Sequence, residues 1–498
     1  MQLRPYQQEC VGQVFESWKT FDRSLIVIPT GGGKTIIFAH IADRCHGKTL
    51  IIAHREELLA QAIEKIGAAV GITAHLERAE TWAPLGASIV VGSIQTLSRR
   101  ADRFGGDHFD TVIVDEAHHV AADSYQAVLA KWPKAKVLGV TATPDRADKK
   151  QLGTFFDTVA YEVTLLDLIK QGYLSPIKVR VCDVSIDLTK VRLSAGDYDS
   201  TESAMAIEPY LRKVAEQIKE FGGKKTLVFL PLISTSDTMT SICRSIGLNA
   251  SHVDGNSPDR KEILKKFKDD ERAVLCNAML LTEGYDEPSI DTIVCLRPTR
   301  SRALYTQMVG RGTRLSNGKT HLTILDFLWM TGKHDLVKPT RLVAHDEVGD
   351  IADRMIATQG EFDLEDVLKD ATHEREQSLL RELTKKKRNV GKLVDPVEFC
   401  LSIHDTSGAD YVPTMPWHHQ PISEGQRKVI EGAGIDVSAI TCKGHASVVI
   451  DKIMTRRTLK LASPKQVRFL QKYGVMNPHL WKFDNASKFI DSKMRRGH

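Results

Sequence analysis

The sequence predicts two α/β domains of parallel sheet in tandem, followed by an α-helical C-terminal region. Three observations carry this reading. Short, β-branched, nearly continuous apolar runs recur from residue 25 to about 165 and again from 226 to 325, as expected of parallel strands covered on both faces. Helical stretches separate those runs, and a glycine-rich turn follows the first of them. After Asp326 no further strand is expected, and charged, leucine-bearing segments take over.

The first domain draws its strands from Leu25 to Ile28, Thr49 to Ala53, Ser88 to Val91, Thr111 to Val114 and Val137 to Val140. Gly172 and Pro176 break the periodicity around residues 171–176, which marks a hinge. The second series runs Thr226 to Leu230, Ala273 to Cys276, Thr292 to Leu296 and His321 to Leu325. Residues 346 to 390, rich in Glu, Asp, Lys, Arg and Leu without proline, read as one or two charged helices. The expected domains are therefore 1–170, 171–335, a charged helical accessory region 336–420, and 421–498.

That last stretch repeats itself with a period of 40. Ser423, Gln426, Gly434, Ala446, Ser447, Ile450, Asp451, Met454 and Arg456 recur as Ser463, Gln466, Gly474, Ala486, Ser487, Ile490, Asp491, Met494 and Arg496. A duplicated helical hairpin is expected, with Ser capping a first helix, Gly ending it and a second helix capped at Ala-Ser. Fifteen Lys and Arg stand against six Asp and Glu from 421 to 498, a net +9, while the whole chain carries +5. A basic module on a near-neutral body suits a nucleic-acid handle.

Composition excludes some classes. The 498 residues are 42% hydrophobic and 26% charged, ordinary for a globular chain with sizeable cores. Eight cysteines are scattered singly with no Cys-x-x-Cys pair, which argues for reduced, buried thiols and against a zinc ribbon or an iron–sulfur cluster. No signal peptide is expected from the N-terminal residues, and no apolar run approaches the roughly 20 residues that span a bilayer. A cytoplasmic protein without membrane contact is expected.

The chemistry begins at the glycine-rich turn. Thr30, Gly31, Gly32 and Gly33 let backbone amides approach phosphates, Lys34 neutralises their charge, and Thr35 can hold Mg²⁺. The usual first glycine of this pattern is replaced by Ile28. Asp115 and Glu116 follow a strand directly, so they project at the carboxyl edge of the sheet. Asp115 is suited to Mg²⁺ and Glu116 to orienting or deprotonating water, while His118 beside them can report the state of the nucleotide. Arg311 and Arg314, expected at i, i+3 on one helix face, offer planar cationic forks to phosphate oxygens.

The ordered strings Leu3-Arg4-Pro5-Tyr6-Gln7, Pro29 to Thr35, Ala53 to Leu58, Gly92 to Thr96, Asp115 to His118, Thr141 to Pro144, Leu281 to Asp286 and Gln307 to Arg314 resemble those of a superfamily 2 helicase. They are most similar to the DEAH-bearing branch of RadD-type and XPB-type helicases and restriction-enzyme motor subunits. The chain lacks the cysteine-rich zinc segment of RadD-type members. The resemblance covers about residues 1 to 330 and implies two RecA-like motor domains. It implies that Gln7 reads adenine with Arg4 or Tyr6 beside it, and that Gly284 and Asp286 sense the nucleotide while Gln307 approaches the γ-phosphate. It further implies that Arg55, Gln95, Thr96 and Thr282 touch a nucleic-acid backbone, and that Thr141 and Thr143 couple hydrolysis to movement.

The function these readings support is an ATP- and Mg²⁺-dependent DNA helicase or translocase acting on single-stranded, forked or branched DNA in repair or recombination. An RNA helicase or the motor of a restriction or defence complex is the alternative within the class. An ATP-controlled clamp or scaffold that never translocates is the alternative outside it. A nuclease or a replication or repair factor would be a fitting protein partner.

Overall fold

The computed structural model describes residues 2–53, 63–64, 66–142, 152–184, 186–194, 196–282, 285–328, 336–344, 346–356, 360–386, 394–403, 408, 411–413, 415–475 and 477–494. They form two compact units, residues 1–346 with 353–368 and residues 347–352 with 369–498.

The first unit holds two seven-stranded sheets. One is built from β1 (Arg23–Val27), β2 (Thr49–Ala53), β3 (His75–Glu77), β4 (Ile89–Ser93), β5 (Thr111–Asp115), β6 (Lys136–Thr141) and β7 (Thr158–Glu162). Their order is β3-β4-β2-β5-β6-β1-β7, parallel throughout. All C-terminal strand ends therefore line one edge, where ligands of such sheets bind.

The other sheet opens with β8 (Ile177–Val181). After a two-residue ribbon, β9 (Leu193–Ser194) and β10 (Asp197–Tyr198), it takes in β11 (Lys225–Phe229), β12 (Ala250–Val253), β13 (Ala273–Asn277), β14 (Thr292–Cys295), β15 (Leu322–Asp326) and β16 (Glu361–Asp363). The order is β12-β13-β11-β14-β15-β8-β16, with β16 alone antiparallel. Two RecA-like sheets are present, and β3, β7, β8 and β12 join the strands that the sequence marks. The expectation that strands stop after Asp326 is corrected by β16. That strand is three residues long, and only Phe362 within it is buried, so it carries no apolar run to detect.

Helices cover both faces of these sheets. In the first domain they are α1 (Pro5–Ser17), α2 (Lys34–Arg44), α3 (Ile94–Arg100), α4 (Asp123–Leu129) and α5 (Leu165–Lys170). In the second they are α6 (Ser200–Ile207), α7 (Leu211–Phe221), α8 (Ile233–Ser245), α9 (Arg260–Asp269) and α10 (Arg302–Gly310). Helix α7 shows why they dock. Leu211, Val214, Ala215 and Ile218 recur at helical spacing, are at most 1% exposed, and pack with Val228, Leu230, Val294 and Leu296 of the sheet. Burying each large aliphatic chain contributes about 1.5–3 kcal/mol.

Two charged helices follow, α11 (Asp346–Ile356) and α12 (Leu364–Lys386). The second unit then adds α13 (Pro396–Ser402) and two hairpins, α14 (Glu424–Gly432) with α15 (Lys443–Thr458) and α16 (Pro464–Lys472) with α17 (Phe483–Met494). The repeat is literal in its hydrogen bonds. Ser423 caps α14 and Ser463 caps α16, each within a capping box closed by Gln426 or Gln466. Gln426 Nε2 donates to the Lys443 carbonyl at 3.1 Å and Ser447 Oγ at 3.0 Å, and Gln466 Nε2 to the Phe483 carbonyl at 3.2 Å and Ser487 Oγ at 2.8 Å. Gly434 and Gly474 turn the chain at φ 85° and 69° after the first helix of each copy. The second helices, however, begin at Lys443 and Phe483, so Ala446-Ser447 and Ala486-Ser487 lie inside them instead of capping them. Ala446 and Ala486 are fully buried in the cores of their hairpins, and Ser447 Oγ donates back to the Lys443 carbonyl. Among the described residues, no helix is long and apolar enough to cross a membrane.

Replacing Gln466 by Ala strips the Phe483 carbonyl and Ser487 of their shared donor, a loss of about 1–2 kcal/mol. Amide hydrogen exchange in residues 483–494 should accelerate about tenfold, with exchange in β5 and β11 unchanged.

Candidate functional site: a nucleotide cleft between two sheets

At the end of β1 the chain turns through Pro29 to Gly33 into α2. Gly31 (φ 86°) and Gly33 (φ 78°) occupy left-handed backbone, and Gly33 is the N-cap of α2. Space demands glycine as well. A Cβ on Gly33 would lie 2.5 Å from Gln7 Nε2, and one on Gly32 2.7 Å from Ile28 Cγ2. The three glycines that lead into α2 thus leave the backbone bare of side chains at the sheet's ligand edge, where the helix dipole favours an anion.

The start of α1 braces that turn. Tyr6 Oη donates to the Gly32 carbonyl at 2.7 Å, Gln7 Nε2 to the same oxygen at 3.3 Å, and Gln7 Oε1 accepts from the Arg4 amide at 2.9 Å. Tyr173, from the expected hinge, completes the wall. Its ring centroid lies 5.0 Å from that of Tyr6, and the Arg4 guanidinium sits 5.2 Å above it. Sequence reading placed Arg4, Tyr6 and Gln7 here and missed Tyr173, because that contact joins residues 169 positions apart.

The carboxylates stand at the end of β5. Glu116 takes left-handed backbone (φ 50°, ψ 54°), a strain of about 1–3 kcal/mol in a non-glycine residue. Its amide donates to Asp115 Oδ1 at 3.0 Å. Glu116 Oε1 lies 2.9 Å from Lys34 Nζ, and Oε2 lies 3.5 Å from His118 Nδ1, which is itself 3.5 Å from Thr141 Oγ1 at the end of β6. Lys34, Glu116, His118 and Thr141 therefore form one chain of contacts across three neighbouring strand ends.

Burial alone would push the Glu116 carboxyl up, but Lys34, His118 and Arg311 hold it well below the usual carboxylate range. Burial alone would likewise push the Lys34 ammonium down, but Glu116 and Asp115 hold it above its usual value. Both groups are ionised at neutral pH. A phosphate chain arriving at α2 can take over Lys34 and leave Glu116 as a carboxylate beside it.

Arg311 comes from the other sheet. Ser301 caps α10 by accepting from the Leu304 amide at 3.2 Å, and Gln307 on that helix is buried. Gly310 meets Thr30 so closely that a Cβ would lie 2.5 Å from the Thr30 Cβ. Thr313 Oγ1 is 3.5 Å from the Thr30 carbonyl. The helix stops at Gly310, which corrects the expectation that Arg311 and Arg314 share one helical face. Gly312 packs so tightly on Leu322 that a Cβ would come within 2.4 Å, and the chain leaves the helix to make that contact. The two arginines diverge. Arg311 Nη1 donates to the Tyr285 carbonyl at 2.8 Å, while Arg314 Nε pairs with Asp286 Oδ1 at 3.1 Å. Arg314 Nη1 is buried and has no hydrogen-bond partner among the described residues, a donor that an anion would satisfy.

The remaining candidates lie elsewhere. Gln95 is exposed in the first turn of α3, and Thr96 beside it accepts from Ser93 Oγ at 2.9 Å. Thr282 is buried, its hydroxyl donating to the Met279 carbonyl at 2.7 Å. Thr35 is half-buried at the start of α2. Arg55, Thr143 and Gly284 fall outside the described residues.

Two family models match this arrangement, "Type III restriction enzyme, res subunit" over residues 1–146 and "Helicase conserved C-terminal domain" over 210–316. A Saccharomyces cerevisiae protein named "Putative ATP-dependent helicase IRC3" is 32% identical over 68% of this chain and 53% of its own length. The chain spans little more than half the length of its two yeast relatives. "DNA 3'-5' translocase XPB2" of Sulfurisphaera tokodaii is 24% identical over 62% of this chain and 78% of its own. Among solved structures, "ATP-dependent Type ISP restriction-modification enzyme LlaBIII bound to DNA" aligns with 99% of this chain and 42% of its own at a TM-score of 0.55 and 15% identity, a likeness of fold.

The Glu116 shift fixes a pH dependence. Because its folded pKa is depressed, its contribution to stability is present above the unfolded value of about 4.3 and is lost as pH falls through the folded value. Lys34, raised when folded, keeps its contribution throughout that range. The denaturant midpoint of the wild type should therefore fall more steeply than that of Glu116→Gln between about pH 5 and pH 2.

Proposed function

The chain belongs to the superfamily 2 helicases, in the branch of restriction-enzyme motor subunits and XPB-type proteins, and from that premise we propose that it is an ATP-dependent DNA translocase. One observation carries the reading. Arg311 directly follows α10 of the second domain, at a seam where Gly310 and Thr313 touch Thr30, in the turn that leads to Lys34 of the first. A triphosphate bound there ties the two domains together, and its hydrolysis releases them.

In this reading the α2 amides and Lys34 hold the β- and γ-phosphates, with Arg4, Tyr6, Gln7 and Tyr173 beside the adenine. Thr35 and Asp115 offer hard oxygens suited to Mg²⁺, which when bound neutralises phosphate charge. Glu116 orients the attacking water and accepts its proton, and Gln307 lies on the helix that approaches the γ-phosphate. Arg311 stabilises charge developing on the transferred group, a role worth about 10³ to 10⁵ in rate. His118, between Glu116 and Thr141, passes the state of the carboxylate to the end of β6, and Gly284 and Asp286 sense the nucleotide from the other side.

Gln95, Thr96, Thr282 and Arg55 would contact DNA through its backbone, leaving movement indifferent to sequence. Residues 1–170 and 171–335 act as the two motor halves, 336–420 as an accessory region and 421–498 as a DNA handle. Support for the handle lies between its two copies, where a cavity of about 530 Å³ is edged by Arg457, Lys460, Lys465 and Lys482. Such a cationic groove fits a phosphate backbone.

Displacement of a third strand from triplex DNA, and of an annealed strand from a fork, tests this reading. Wild-type chain with ATP should displace the third strand, and Glu116→Gln should fall to background. DNA binding without displacement of either strand would point to a static clamp.

A further inference from the structure

We propose that Trp82 is a base-stacking platform for single-stranded DNA on the first motor domain. The inference rests on the reading that the motor moves on DNA, and adds a contact to bases where that reading supplies only contacts to the backbone.

The platform starts at the sheet's ligand edge. Strand β3 runs parallel to β4 with Glu77 opposite Gly92, so the segment after Glu77 leaves the sheet level with Ser93. Ser93 caps α3, whose first turn presents Gln95 and Thr96. A tight turn follows, in which the Arg78 amide donates to the Thr81 carbonyl at 3.0 Å and Ala79 is forced to φ 33°. The Ala79 amide reaches Thr96 Oγ1 at 3.4 Å, tying the turn to the candidate backbone contacts.

Trp82 stands at the end of this turn with 57% of its surface open. The other described tryptophans, Trp18, Trp132, Trp417 and Trp481, are buried or half-buried. The Trp82 ring is fixed, not loose. Arg100 and Arg103 hold their guanidinium carbons 4.0 and 4.8 Å from its centroid. Both arginines are in turn pinned by Glu77, which is wholly buried and ion-paired to each, and Arg103 Nη2 also donates to the Ala83 carbonyl at 2.9 Å. A buried carboxylate thus fixes two cations, and the cations fix an exposed indole. Arg99, also exposed on α3, adds to a basic surface that draws phosphates toward the ring. A rigid indole with guanidinium groups over its ring and more than half its surface open suits an unpaired base of any identity, and a duplex, whose bases are already stacked, cannot use it.

The test is binding of the full chain to a fluorescein-labelled oligo-dT, a blunt duplex and an oligo-U, with tryptophan emission followed in parallel. Trp82→Ala should weaken oligo-dT binding about tenfold or more and leave duplex binding unchanged, Trp82→Phe should keep most of the affinity, and the quenching of tryptophan emission by oligo-dT should disappear in both. Thermal midpoints of both variants equal to wild type establish that they fold. Wild-type affinity for oligo-dT in Trp82→Ala, or an equal loss on duplex, overturns the platform and leaves the motor reading standing. A larger loss on oligo-U than on oligo-dT overturns the assignment to DNA, and a wild-type chain that binds none of the three overturns the motor reading itself.

Discussion

The site is organised around one buried ion pair. Lys34 and Glu116 approach to 2.9 Å with little of either side chain exposed, one at the start of α2 and the other just past the end of β5. Two charges in such a place cost several kcal/mol each to desolvate, and removing either would strand the other. The surroundings therefore have to compensate. Asp115 adds negative charge near Lys34, and Arg311 adds positive charge near Glu116. Asp115 adjoins Glu116 at the end of β5, whereas Lys34 opens α2 and Arg311 follows α10, so sheet order, loop geometry and the meeting of the two domains all converge on this pair. The same pair is what a phosphate chain would disturb, because it competes with Glu116 for the lysine.

Glycine makes the convergence sterically feasible. Gly33 lets α2 begin against Gln7, Gly310 lets α10 end against Thr30, and Gly312 seats the following turn on Leu322. Glycine-rich strings in the sequence thus mark places where two pieces of backbone must nearly touch. Where the first glycine of the phosphate-loop pattern is replaced, Ile28 is fully buried and its Cγ2 fills the space beside Gly32.

Central strands were legible because burial on both faces writes an unbroken apolar run, as in β2, β4 and β13. Edge strands were not. β3 and β16 are three residues each and resemble loop when read alone, and β8, second from the edge, alternates with Lys178 and Arg180 in place of a continuous apolar run. Residues gathered between the two sheets were noticeable as spaced strings, yet their geometry was not. Nothing in the spacing of Arg311 and Arg314 records that Gly312 must pack on β15, which ends the helix early and sends the arginines to Tyr285 and Asp286. The 40-residue repeat announced a duplicated hairpin, while the part played by Ser447 and Ser487 depended on Gln426 and Gln466 reaching across to the second helix.

The central claim is that the second domain completes the ATP site of the first. Steady-state ATP hydrolysis by wild type and Arg311→Ala, with and without single-stranded DNA, measures it most directly when read beside nucleotide affinity. The account predicts turnover stimulated by DNA in the wild type and reduced about 10³-fold or more in Arg311→Ala, with ATP affinity within about tenfold of wild type. Wild-type turnover in Arg311→Ala would show that the first domain hydrolyses ATP unaided, and would contradict it.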